Sequence, residues 1–297
     1  MVRPYRFHPN PETAADNSFQ RTSVGRADNE VAAAARVEFD RAVEALQRVG
    51  VTVHVIDDSP LPDKPDAVFP NNWMSTHHDG RVALYPMYSE ARRGERRRDI
   101  IEKLSDSYRI TEVTDYSEYE KRGQYLEGTG SLVLDHRHKI AYASLSRRTH
   151  PEPLARFCGD FDYEPVVFTA GSRGGKPVYH TNVVMCIGSG LALVALKMIP
   201  DKRERELVRS RLLASGRTLI ELEEEQVASY AGNAIELHDA RNTALLVMSA
   251  KAVPVLTRAQ RKVIDRRAQI VPLELSTIEL AGGSARCMLA TIHLPAK

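Results

Sequence analysis

The sequence predicts an α/β fold closed around an axis, and three observations carry that expectation. A helical stretch over 29–49 passes through Gly50 into the β-branched run Val51-Thr52-Val53-His54-Val55-Ile56, and a helix joined to a strand across one glycine marks α/β architecture. An order of strand pair, helix and strand then recurs. One instance is strands 183–187 and 191–196, helix 201–214 and strand 218–222; another is strands 234–237 and 244–248, helix 258–268 and strand 270–275. Finally, no linker or low-complexity segment separates these units. They share no sequence identity, so the repeat is architectural, and repeats without a boundary suggest closure within one domain spanning 1–297.

The elements follow from local chemistry. Residues 1–28 are polar and turn-rich, from Phe7-His8-Pro9-Asn10 to Ser18-Phe19-Gln20, and composition favours a loosely held terminus over an ordered loop. In the first helix Asn29 is the expected N-cap, Phe39, Val43 and Leu46 fall on one face, and Gly50 stops it. Pro60 to Pro65 form a connection, and Asp66 to Thr76 set the only tryptophan among polar side chains. Strand 81–85, helix 90–105 and strand 110–113 follow. The basic run Arg92-Arg93-Gly94-Glu95-Arg96-Arg97-Arg98 opens that helix and reads as a solvated face or an interface. The stretches 125–135 and 140–143 read as a hairpin, 166–168 as a strand, and 224–230 as a short helix. A final strand is expected over Met288 to Leu294.

Composition excludes several function classes. In 297 residues, 41 basic side chains against 39 acidic ones leave a formal charge of +2, which favours neither nucleic acid nor an anionic membrane as partner. No apolar run approaches membrane-spanning length, and the N-terminus has no apolar leader core, so a cytoplasmic protein is expected. Cys158, Cys186 and Cys287 fit neither a zinc site nor a disulfide framework, and a reducing compartment suits them. His77 and His78 read as surface loop residues, and HxxxH is absent. A small-molecule substrate is the expected partner; a homodimer is the commonest soluble assembly, though no stripe demands one.

Three polar residues stand at glycine-flanked or strand-head positions. In Gly282-Gly283-Ser284-Ala285-Arg286-Cys287-Met288, paired glycines let a ligand lie against the main chain, and Arg286 favours the thiolate of Cys287. Glu127 precedes Gly128-Thr129-Gly130, and His180 heads the strand that contains Cys186. Cysteine with histidine makes a nucleophile and base, and a carboxylate can orient substrate or carry a proton. Taken singly, each also has a plain reading: a buried cysteine, a turn carboxylate, a satisfied strand-end histidine.

Together these stretches resemble a known family. Leu126-Glu127-Gly128-Thr129-Gly130-Ser131, His180-Thr181-Asn182 and Gly282 to Met288 look like the signature segments of the guanidine-modifying superfamily, and Asp66-Ala67-Val68-Phe69-Pro70-Asn71-Asn72 looks like its substrate-gripping segment. That superfamily includes arginine deiminase, dimethylarginine dimethylaminohydrolase, succinylarginine dihydrolase and the amidinotransferases. The likeness runs nearly the whole length in the same order and is strongest to the citrulline-utilisation hydrolase branch, which Asn17 to Gln20 and Pro177 to Val183 also resemble. It implies a closed fivefold α/β-propeller of ββαβ units and covalent catalysis without metal or organic cofactor. Cys287 would attack the guanidino or ureido carbon, and His180 would protonate the departing nitrogen and then activate water. Glu127 and Asp66 would hold the substrate's N–H groups.

The departures bear on substrate. Asn71 and Asn72 stand where guanidinium-binding relatives generally carry further acids, and Asn182 stands where arginine deiminases carry aspartate. A buried guanidinium wants carboxylate partners, whereas an amide suits a neutral ureido group. The sequence therefore favours hydrolysis of citrulline to ornithine, ammonia and carbon dioxide, with Asn71, Asn72 and Asn182 at the substrate. A guanidino hydrolase of the arginine deiminase or dimethylarginine dimethylaminohydrolase type is the alternative, followed by an amidinotransferase and a non-catalytic binding protein. Asn17, Gln20 and Arg286 are candidates for the amino-acid end of the substrate, without assignment, while Arg147 and Arg148 read equally well as surface residues.

Overall fold

Short apolar runs flanked by turns give strands of two to six residues, and these pair locally. The computed structural model describes residues 1–21 and 25–297. β1 (Val2–Arg3) pairs in parallel with β2 (Ile56–Asp57) across the helix Asp28–Arg48. Four three-stranded sheets follow: β3 (Met74–Thr76), β4 (Arg81–Leu84) and β5 (Glu112–Asp115); β6 (Leu132–Asp135), β7 (Ile140–Ser144) and β8 (Glu164–Phe168); β9 (Met185–Ile187), β10 (Leu191–Val194) and β11 (Thr218–Glu221); β12 (Ile235–His238), β13 (Ala244–Ser249) and β14 (Gln269–Leu273). In each, an antiparallel pair is joined by a helical crossover to a third strand parallel to the middle one. Parallel strands require such a crossover. This is the strand pair, helix, strand order expected, in a mixed α/β fold in which each sheet is separate and open.

The core lies between each helix and its sheet. Val31, Ala35, Phe39, Ala42, Val43 and Leu46 form the buried face of the first helix and pack on Leu245, Val247 and Val271. No helix among the described residues is long and apolar enough to cross a membrane.

The parts nearest the candidate residues are single polar turns, four of which lead into the first strand of a sheet. They are Pro70–Asn72, Gly128–Ser131, Thr181–Val184, 230–233 and 284–288. Each touches the next. Thr129 donates to the Asn71 carbonyl at 3.2 Å, Thr181 to the Ser131 carbonyl at 2.5 Å, and Asn233 to the Asn182 carbonyl at 3.2 Å. The Arg286 N–H then donates to Asn233 Oδ1 at 3.1 Å, and Gly283 abuts the Phe69 ring beside the first turn. Glycine is required for this closeness: a Cβ on Gly128 or Gly232 would sit inside contact distance of the Asn71 or Val183 carbonyl oxygen.

Several expectations need correction. The Val51–Ile56 strand shrinks to Ile56–Asp57, because its neighbour β1 is only two residues long. Residues 288–294 form no strand; instead Thr76 Oγ1 donates to the Thr291 carbonyl and accepts from the His293 N–H, so a side chain replaces a ladder. The helix at 90–105 is two, Glu90–Arg93 and Arg98–Ser107, interrupted at Gly94 as Glu95 turns inward to Arg92. Asn29 lies inside the first helix, whose N-cap is Ala27. The unread helix Pro151–Phe161 starts on a proline and buries Leu154, Phe157 and Phe161 at helical spacing. The N-terminal run is not loosely held, since Phe7, Asn10, Thr13 and Asn17 are buried. His78 is exposed as expected, but His77 is buried and shares a 2.9 Å hydrogen bond with Ser75.

Candidate active site

The turn 284–288 carries Cys287 inward, where the residue is 2% exposed. Two amide nitrogens lie on its sulfur: Asn182 Nδ2 at 3.5 Å and Asn233 Nδ2 at 3.3 Å. Donors placed this way suit a sulfur that carries negative charge. His180, just ahead of its own turn, meets Glu127 through Nε2 at 2.8 Å. Burial lowers the imidazole pKa while the Glu127 carboxylate pulls it upward, and burial prevails. Glu127 is fully buried and accepts the Tyr88 N–H at 3.0 Å. Burial alone would push its carboxyl up, but Arg148 (3.6 Å) and His180 together outweigh this and hold it at about 2. Glu127 is thus an anion that orients a neutral imidazole.

Cys287, His180, Asp66, Asn72, Arg92 and Arg148 line one small cavity. Asp66 Oδ2 accepts from Asn10 Nδ2 at 3.0 Å and lies 3.7 Å from Arg92 Nε. Arg92 donates to both Glu95 oxygens, to Asn72 Oδ1 at 2.9 Å and to the Phe69 carbonyl at 3.2 Å. Burial pushes the Glu95 carboxyl up to about 7 against the opposing pull of Arg92. Arg148 grips Asp16 at 2.6 Å and lies over the Tyr179 ring. Unspent amide groups surround the site: both polar atoms of Asn71, Asn72 Nδ2 and Asn182 Oδ1 are buried without a partner. Buried polar atoms are normally paired, so these four stand out; of the three residues, Asn72 lines the cavity itself.

The family described as N,N dimethylarginine dimethylhydrolase, eukaryotic, matches residues 3–294. The chain belongs to that family. It is a branch of the guanidine-modifying superfamily, whose members in the comparisons act on guanidino C–N bonds. No curated protein matches the sequence. Among solved structures, the N-terminal domain of ArgZ, an arginine dihydrolase of the cyanobacterial ornithine–ammonia cycle, solved with substrate, is 16% identical with a TM-score of 0.72, over 97% of this chain and 95% of that one. Full-length apo ArgZ gives 17% and 0.75 over 100% of this chain and 42% of that one. Dimethylarginine dimethylaminohydrolase, as a histidine-to-glycine variant in adduct with S-methyl-L-thiocitrulline, gives 16% and 0.63 over 97% and 96%.

For a member of this family, the fold assembles most of what the sequence singled out. Cys287, His180, Asp66 and Asn72 share the cavity, Asn182 reaches the sulfur, and Asn71 is buried beside Gly128. Glu127 stands behind His180 and not in the cavity wall, because His180 and Tyr88 take up its oxygens. The paired glycines admit protein side chains: Asn17 occupies the space at Gly282, and the Phe69 ring that at Gly283. Of the amino-acid-end candidates, Asn17 lines the cavity, and Gln20 braces the loop through Thr13 and Asn10. The Arg286 side chain turns away to the Leu289 carbonyl. Arg147 is exposed, but Arg148 is buried, as is Arg92 from the run read as a solvated face. Asn233 went unread although Gly232 before it gave the same glycine-and-polar signal, ahead of a strand, as Glu127-Gly128.

Proposed function

We propose that this chain is a cysteine-dependent hydrolase that cleaves a C–N bond at the guanidino carbon of arginine or an N-methylated arginine. The observation that supports the reading is the cavity that Cys287, His180 and Asp66 line together, with ionised Glu127 behind His180. Two carboxylates near one pocket suit a guanidinium. The family match supports a guanidino substrate over the citrulline that the amides at 71, 72 and 182 favoured. In the proposed path the neutral His180 takes the Cys287 thiol proton as the sulfur bonds to the guanidino carbon, then passes it to the departing nitrogen as the C–N bond breaks and the amine or ammonia leaves. Water, losing its proton to His180, then attacks the same carbon; the C–S bond breaks and a ureido product is released. The buried Arg92 and Arg148 guanidinium groups are placed to meet the substrate carboxylate. We also place the five units in a fivefold propeller, a reading supported by the turns that touch in succession and return to the first.

A second reading extends the first. The unpartnered amide atoms of Asn71, Asn72 and Asn182 match a ureido carbonyl and its N–H groups, so the product could serve as substrate for a second hydrolysis to ornithine, ammonia and carbon dioxide. Mass spectrometry of products from arginine, dimethylarginine and citrulline, with Cys287→Ala as control, tests both. Citrulline from the guanidino substrates, lost in the control, is expected for the first reading; ornithine from arginine and citrulline supports the second. Turnover of citrulline with none of arginine or dimethylarginine overturns the first. An amidino product formed only with an added amine indicates a transferase, and no product from any of the three indicates a binding protein.

A further inference from the structure

Where β6, β9 and β12 continue beyond the turns they enclose a second cavity that shares no residue with the one at Cys287. Val133, Ile187 and Ile235 give it an apolar side, His136 and His293 a polar one, and Arg286 and Glu236 are its two charged side chains. Arg286 donates through Nη1 to the Leu289 carbonyl at 2.8 Å and pairs with no carboxylate among the described residues. Burial holds its pKa below the usual range; Cys287 and Cys186 oppose this, and no carboxylate does. Glu236, its side chain 5% exposed, spends Oε1 on the Ser189 N–H at 2.7 Å and lies 3.7 Å from His238, while Oε2 is buried without a partner. Burial keeps the neighbouring His293 at about 4, so it is neutral at pH 7 and does not substitute for Arg286 as a cation.

An unpaired cation and an unsatisfied carboxylate oxygen buried at one cavity are both costly. An inorganic anion would relieve only Arg286 and meet Glu236; a simple amine would do the reverse. We propose that this cavity binds a small apolar α-amino acid as its zwitterion, carboxylate toward Arg286 and ammonium toward Glu236. The cavity shares Glu236, Thr291 and His293 with a surface groove that also includes His54 and Tyr108, which gives a way in. It also touches the chemistry. The Arg286 N–H donates to Asn233 Oδ1, and the Asn233 amide nitrogen lies 3.3 Å from the Cys287 sulfur. Occupancy therefore acts on the nucleophile through Asn233, whichever substrate the front cavity takes.

Calorimetric titration with L-valine tests the site, since valine has no guanidino or ureido carbon to react. One equivalent is expected to bind the unsubstituted protein. Isovalerate, which lacks the ammonium, and isobutylamine, which lacks the carboxylate, should each bind at least ~10-fold more weakly, about 1.4 kcal/mol. Arg286→Gln and Glu236→Gln should show the same loss for valine, and Arg148→Gln should not. Ile187→Trp, which fills the cavity and removes no charge, should abolish binding even where the charge variants fail to fold. Absence of binding to the unsubstituted protein overturns the proposal. So does binding that survives Ile187→Trp or disappears with Arg148→Gln.

Discussion

The inner turns and the outer helices of this molecule obey different rules. The turns are short and packed so closely that two need glycine, and they bring Asn72, Glu127, His180, Asn233 and Cys287 to the centre from five separate segments. The crossover helices vary from the 21 residues of Asp28–Arg48 to the four of Glu90–Arg93, and charge on the outer elements lies in exposed pairs such as Arg122–Glu152. The difference teaches where specificity resides. Turns that meet at one place can be tuned in their chemistry one side chain at a time, while the outer layer needs only to cover its sheets.

The sharpest break in that contrast is Cys287→Ala, expected to lower turnover by about 10⁴-fold or more with little change in unfolding, as read by single-turnover kinetics beside urea denaturation. Glu127→Gln keeps the shape but removes the anion behind His180, and kcat should fall about 10²-fold. Backbone intolerance is tested by Gly232→Ala, whose Cβ meets the Val183 carbonyl; a loss of about 2–3 kcal/mol in urea unfolding is expected. The same group of turns sets a pH response. Glu127 is held at about 2 against an ordinary 4.5, so its stabilisation is present above pH 4.5 and is lost as pH falls toward 2, because the unfolded carboxyl takes its proton first. Glu127→Gln should flatten that limb of a stability–pH curve. At the outer layer, Arg122→Ala should change stability by less than about 1 kcal/mol and leave kcat untouched.

Much of the inner layer was legible because its signals are local. Glycine beside a polar residue ahead of an apolar run marks Glu127 and Cys287 and would have marked Asn233. The strand pair, helix, strand recurrence is likewise a matter of short-range pattern. What stayed hidden depends on distant partners. Nothing in the arginine-rich run says that Arg92 is buried, although Glu95 three residues later was a usable hint, and only the fold brings Asp16 to Arg148. The apolar stretch at 288–294 has strand composition, yet pairing needs a free neighbouring edge, and Thr76 takes its place. The pull toward citrulline came from counting amides at three positions; Asp66 and ionised Glu127 show that carboxylates remain close by.

Because the five turns come from segments spread between residues 70 and 288, no short fragment carries Cys287, His180 and the amides of Asn182 and Asn233 together. An incomplete chain emerging during synthesis carries Glu127 and His180 long before Cys287 exists to be activated. Any turnover at this site would therefore report that the segment around Cys287 has met the one around Asp66.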